Sequence, residues 1–167
     1  MSETKFSSYL WATSRKKYVA KKHVPGCIFC KIAKNEKGAV KKEVYRNKEF
    51  MVIMNVFPYN RAHLEVVPLR HVYSLTELTD EEMLGLFKLV KNTVKMIEAA
   101  YNPAGFNIGI NIGEYAGGSI DHLHVQIVPR YKRETGFMEI IANTRVMPET
   151  LDQTLSKLKK YASLLEE

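Results

Sequence analysis

The sequence predicts an α+β fold, a mainly antiparallel sheet carrying one long helix and a C-terminal helix. Three observations predict it. A strand-like hairpin and a third strand-like run come first, a single strongly signalled helix follows, and two alternating runs come after that helix. At 167 residues the chain has the length of one compact domain with a modest extension.

Each element has its own signal. Residues 1–25 are basic and weakly patterned, an N-terminal arm that Pro25-Gly26 separates from the rest of the chain. Residues 43–46 and 50–55 read as two strands joined at Asn47-Lys48, a pair suited to a hairpin turn, and residues 63–68 read as a third. Thr79 with Glu82 three residues later forms a capping-box pattern. The apolar set Met83, Leu86, Phe87, Val90, Val94 and Ile97 then keeps helical spacing until Asn102-Pro103. Residues 106–112 and 122–129 alternate as strands around a glycine-rich turn over 113–119. Pro148 and Glu149 suit a first helical turn, and Leu151, Leu155, Leu158, Ala162 and Leu165 mark one face of the terminal helix.

Composition excludes several classes. With 46% hydrophobic and 26% charged residues the chain can bury a core and is not a disordered polyelectrolyte. It holds no apolar run of the ~20 residues that a membrane span needs, and the start lacks a secretory layout. A cytoplasmic protein with no membrane partner is expected. The net charge of +7 is uneven, with thirteen Lys or Arg against three Asp or Glu in residues 1–48. That end suits polyanions such as nucleotides, yet it equally suits a solvated face, so no specific nucleic-acid partner is implied. Neither G-x-G-x-x-G nor a Walker A sequence occurs, so phosphate must be handled by other means.

The two cysteines, Cys27 and Cys30, form a single C-x-x-C. In a reducing compartment this spacing suggests a redox pair or half of a zinc site. The sequence after the glycine turn carries more chemistry. On a strand, residues 122, 124 and 126 share a face, which stands His122, His124 and Gln126 in a row.

The run His122-Leu123-His124-Val125-Gln126-Ile127-Val128 resembles the signature of the histidine triad (HIT) superfamily, two apolar-spaced histidines with glutamine in place of the third. Gly26 to Cys30, Asn55 with residues 57–60, Ala62-His63, Val67-Pro68, Arg70-His71, Asn107 to Gly113 and residues 128–131 extend the likeness, as do residues 10–12 with Arg15 and Tyr18. The H-x-H-x-Q form is similar to the transferase branches, and the chain's two ends are most like small phosphorylases of diadenosine tetraphosphate. The resemblance implies a HIT-like fold, with residues 26–132 as catalytic domain and 133–167 as C-terminal helical extension. It further implies a homodimer formed through the long helix and a neighbouring strand.

The chemistry rests on the residue types. A neutral imidazole attacks phosphorus when its other nitrogen is hydrogen-bonded, and His124, central in the row, is the candidate nucleophile. Gln126 donates a hydrogen bond but delivers no proton, so the leaving group must be good by itself, as a nucleoside polyphosphate is. Inorganic phosphate is then the expected acceptor. Ser119 and the backbone of Gly117 and Gly118 fall, by resemblance, at a phosphate-binding turn. Asn55 falls where hydrolytic branches usually carry a ribose-binding aspartate, Asn111 near the phosphates, and His63 near the nucleotide. Gly118 departs from the glutamine common in those hydrolases. By resemblance to zinc-bearing members, the ligands of a structural zinc are Cys27, Cys30, His71 and His122, a closed set of two thiolates and two imidazoles. His63 is the alternative to His71, His122 could instead act as a free triad member, and His23 reads as an exposed arm residue. Lys132, Arg133 and Arg145 are candidates for the distal phosphates.

The sequence supports a dinucleoside polyphosphate phosphorylase first. A HIT-family hydrolase and a zinc-stabilised nucleotide- or RNA-binding module are the alternatives.

Overall fold

The computed structural model describes residues 26–39, 42–132, 134, 136–142 and 144–166. The expected basic arm, with its residues 10–12, Arg15, Tyr18 and His23, lies outside the described residues, as does Arg133.

Five strands form one sheet: β1 (Glu43–Arg46), β2 (Phe50–Met54), β3 (Leu64–Pro68), β4 (Gly105–Gly109) and β5 (Val125–Arg130). Their order is β1-β2-β3-β5-β4, and every neighbouring pair is antiparallel. The described helices are α1 (Ile28–Ala33), α2 (Asp80–Tyr101), α3 (Phe137–Ala142) and α4 (Leu151–Lys159). None is long and apolar enough to cross a membrane.

Local chemistry explains the joints. At the first hairpin the Asn47 side-chain oxygen accepts from the N–H groups of Glu49 and Phe50 at 2.9 and 2.7 Å, which closes the turn. The capping box forms: the Thr79 hydroxyl accepts from Glu82 N–H at 3.2 Å, and the Glu82 carboxylate accepts from Thr79 N–H at 2.9 Å. Asn102 ends α2 in the left-handed region, with φ 45°.

Three expectations need correction. The buried face of α2 runs through Leu86, Leu89, Val90, Thr93, Met96 and Ile97, whereas Phe87 is 48% exposed. Phe87 is apolar but sits about 100° round the helix from Leu86, away from the sheet. Pro148 and Glu149 precede α4, because Thr150 caps it in a capping box with Gln153; a separate 3₁₀ turn holds Ala162 and Leu165. Pairing in β4 stops at Gly109 and in β5 begins at Val125, since the chain before Val125 bonds elsewhere: Leu123 N–H donates to the Val72 carbonyl at 2.7 Å.

The sheet buries both faces. Phe50, Val52, Met54, Leu64, Val66, Val125 and Ile127 pack with Leu86, Val90, Ile97 and Leu158 in the core beneath α2 and α4. Met51, Ile53 and Val67 point the other way, against Phe29 and Ile32 of α1. Because α1 is only six residues long, it covers part of that second face. The chemistry-bearing side chains occupy what remains.

Candidate active site

Leu123, Val125 and Ile127 enter the α2-side core, which turns His122, His124 and Gln126 to the opposite face. His122, at a bend, and His124 lie in the lead-in to β5 rather than on the strand, yet they keep its alternation. The Phe29 ring of α1 meets both imidazoles edge-on, with centroids 5.6 Å from His122 and 5.2 Å from His124.

The His124 ring has one available proton assignment when neutral. Nδ1 lies 2.8 Å from the His122 carbonyl oxygen, so Nδ1–H donates there and Nε2 keeps its lone pair. Burial lowers the pKa of His124 and favours that neutral form. The side chain is therefore an oriented, unprotonated nitrogen, which is what attack on phosphorus requires.

Gln126 donates through Nε2 to Asn111 Oδ1 at 3.2 Å, and Asn111 donates in turn to the Ala116 carbonyl. The glycine turn is thus tied to the row. The N–H groups of Gly117 and Gly118, expected to face phosphate, donate instead to the carbonyls of Glu114 and Gly113 at 2.9 and 3.0 Å. Both amides close the turn. What the glycines supply is room: Gly117 has φ +84°, and a Cβ on Gly118 would lie 2.9 Å from the Gly113 carbonyl oxygen. Ser119 stands exposed at the end of this turn. From Gln126 and Asn111, a groove of about 310 Å³ runs past Tyr59 to Asn107 and Arg130.

A second cluster sits beside the first. The ligand atoms of Cys27, Cys30, His71 and His122 all lie within 4.8 Å of one another. Cys27 Sγ is 3.2 Å from His122 Nδ1, and Cys30 Sγ is 3.3 Å from His71 Nδ1. His122 Nε2–H donates to the Pro68 carbonyl at 2.9 Å, leaving Nδ1 as the lone pair that faces the sulfurs. Burial pushes the Cys30 thiol up to about 11, with Cys27 adding to it, while burial holds His122 down at about 4. A divalent cation among these atoms reverses the cysteine preference, because thiolate is the ligand form. The donor set, two sulfurs and two imidazole nitrogens, fits zinc. His63 is not part of this cluster.

His63 lies instead at the start of β3. Its Nδ1 accepts from Tyr59 N–H at 3.2 Å, its ring stacks on Tyr59, and its fully buried Nε2 has no hydrogen-bond partner. Burial lowers its pKa to about 4. Asn55 accepts from Phe57 N–H and donates to Glu65 Oε1, both at 2.8 Å. Glu65 belongs to no motif that the sequence displays. It is 6% exposed, and burial raises its carboxyl to about 7. Its one sequence signal is a charged residue inside the otherwise apolar run from Leu64 to Pro68.

Of the expected distal cations, Arg145 lies 3.7 Å from Glu134, and Lys132 is exposed in a turn. Arg130, on β5 and at the far end of the groove, has the better position, although it pairs with Glu134.

Residues 36–133 match the family model described as HIT domain. The chain is 37% identical over 157 residues to the AP-4-A phosphorylase of Mycobacterium tuberculosis, covering 87% of this chain and 79% of the relative. It is 29% identical over 137 residues to the adenosine 5'-monophosphoramidase hnt1 of Schizosaccharomyces pombe, covering 80% and 98%. A crystal structure of a Zn-bound histidine triad family protein from Mycobacterium smegmatis superposes with a TM-score of 0.70 at 24% identity, covering 84% of this chain and 96% of that one. That last likeness is one of fold.

Proposed function

The chain belongs to the HIT domain family, and from that premise we propose that it splits dinucleoside polyphosphates by phosphorolysis, diadenosine tetraphosphate and phosphate giving ADP and ATP. The observation that carries this reading is the fixed tautomer of His124 beside a glutamine in place of a third imidazole. Nε2 of His124 attacks the α-phosphorus, the N–P bond forms, and the bond to the bridging oxygen breaks to release ATP. An oxygen of inorganic phosphate then attacks the adenylyl-histidine, the N–P bond breaks, and ADP leaves.

Gln126 decides the substrate class. It hydrogen-bonds but does not protonate, so an amine leaving from a phosphoramidate gets no help, whereas a nucleoside triphosphate needs none. The groove from Gln126 to Arg130 provides space for the departing polyphosphate nucleotide. Asn55 and His63 are on the nucleoside side, and Asn111 and Ser119 border the phosphates.

We infer further that Cys27, Cys30, His71 and His122 hold a structural zinc ion. Zinc would supply a cross-link between the start of α1, the segment after β3 and the lead-in to β5. With no open coordination position it would take no part in the displacement. The free cysteines suit a reducing cytoplasm. A homodimer fits the exposed Leu84 and Phe87 on α2 and Ile108 on the edge strand β4.

The test is a product assay on diadenosine tetraphosphate with and without inorganic phosphate. ADP and ATP formed only with phosphate support the proposal. AMP and ATP formed without it would make the protein a hydrolase.

A further inference from the structure

Glu65 is the one acidic side chain buried among the described residues. It is the second residue of β3, opposite Ile53 on β2 and Gln126 on β5, so ladders on both sides fix its backbone. A carboxylate in a sheet interior costs stability, and an apolar residue would complete the run from Leu64 to Pro68 more cheaply. Glu65 has one hydrogen-bonded partner on its face, the Nδ2 group of Asn55 at 2.8 Å.

That contact determines which way the Asn55 amide points. Oδ1 accepts from Phe57 N–H, Nδ2 donates to Glu65, and the Asn55 main-chain N–H donates to the His63 carbonyl at 3.1 Å. Flipping the amide would set two donors against each other at Phe57 and two oxygens against each other at Glu65. In the observed orientation one N–H and one lone pair of Asn55 are left over. A donor beside an acceptor is the complement of a vicinal diol, in which each hydroxyl both gives and takes a hydrogen bond.

We propose that Glu65 is a positioning residue for substrate: by holding Nδ2 of Asn55 it fixes the donor–acceptor pair presented to the ribose hydroxyls. This rests on the reading of the site as a nucleotide site given above. Glu65 itself need not touch the nucleotide. Its raised pKa is the consequence of the burial that lets it act on Asn55 alone.

Calorimetric binding of AMP and of 2',3'-dideoxy-AMP to the wild-type chain, Glu65→Met and Glu65→Gln tests this. Both substitutions conserve volume, and thermal melts establish that each variant is folded. The wild type is expected to prefer AMP by about tenfold, the worth of one or two hydrogen bonds. Glu65→Met should lose that preference while binding the dideoxy nucleotide unchanged, and Glu65→Gln, whose side-chain oxygen still accepts, should keep it. A folded Glu65→Met that discriminates like wild type overturns the inference alone, as does a wild type that binds both nucleotides equally. A wild type that binds neither overturns the nucleotide-site reading and the inference with it. In a ¹⁵N spectrum the Asn55 side-chain amide should also shift in Glu65→Met and stay in place in Glu65→Gln; no shift in either would count against the proposal.

Discussion

His124 is held by the main chain of the residue two before it: its Nδ1 lies 2.8 Å from the carbonyl oxygen of His122, whose own ring faces the two cysteines. The tautomer of this proposed nucleophile is therefore set by a peptide group that no side-chain substitution removes. His124→Ala should then lower turnover by at least about 10³-fold while leaving the melting temperature nearly unchanged. Single-turnover assays with labelled substrate would read this, together with the loss of the acid-labile nucleotidyl adduct. A variant retaining the adduct would place the nucleophile elsewhere.

Metal content is the second prediction. The full chain should carry close to one zinc per molecule by plasma emission, and Cys30→Ser or chelation should lower the melting temperature by at least about 5 °C. Activity should fall with it, because His122 would supply a ligand and also carries the carbonyl that orients His124. Metal-free protein with an unchanged melt would remove the zinc proposal.

Gly118 should tolerate no side chain. The Cβ of Gly118→Ala would stand 2.9 Å from the Gly113 carbonyl oxygen and 3.1 Å from that of Asn111, both backbone atoms that cannot swing aside. We expect a loss of about 1–3 kcal/mol in chemical denaturation and a drop in turnover as Asn111 and Gln126 shift. The Gly38 position, whose added Cβ would meet no atom within 4 Å, serves as the contrast: only the strain of its φ of +86° is expected there.

Gln126→His should trade one activity for another. An imidazole at this position delivers a proton that the amide cannot, so hydrolysis of adenosine phosphoramidate should rise. Phosphorolysis should fall at the same time, since the bond to Asn111 Oδ1 is altered. Steady-state assays of both substrates on both proteins decide it, and an unchanged phosphoramidate rate would show that the leaving group is not what position 126 governs.

Two buried groups set opposite pH trends in stability. Burial raises Glu65 from 4.5 to about 7, so the folded chain holds its proton where the unfolded chain has lost it. That contribution is full below pH 4.5 and is lost as pH rises through 7. Burial lowers His63 from 6.5 to about 4, so its contribution is full above pH 6.5 and is lost as pH falls towards 4. In Glu65→Gln only the histidine trend remains. Relative to wild type this variant should gain stability between pH 4.5 and 7, by up to about 3 kcal/mol, and hold that gain above. Melting curves across pH 4 to 8 would detect a gain that ran the other way.

What the sequence discloses here is what is local. The Thr79–Glu82 box and the Asn102 stop are bonds within a few residues, and they occur where their pattern places them. The alternation that puts His122, His124 and Gln126 on one face survives even where strand pairing has ended, because Leu123 and Val125 are both drawn into the core. The buried face of α2 departs from its apolar spacing, since Met83 and Phe87 are apolar without being turned to the sheet. The commitments of the Gly117 and Gly118 amides, and the Asn55–Glu65 bond, depend on where distant segments come to rest. Periodicity carries no trace of them.

Cys27 and His122 stand 95 positions apart and meet at 3.2 Å. During synthesis the first cysteine emerges with nearly the whole domain still unmade, and its partner imidazole arrives after β1 to β4 and α2. Closing a loop of that length costs entropy that only the completed sheet repays. The histidine proposed as nucleophile therefore arrives late, so a chain interrupted anywhere before β5 would lack the proposed site, however much of its core has formed.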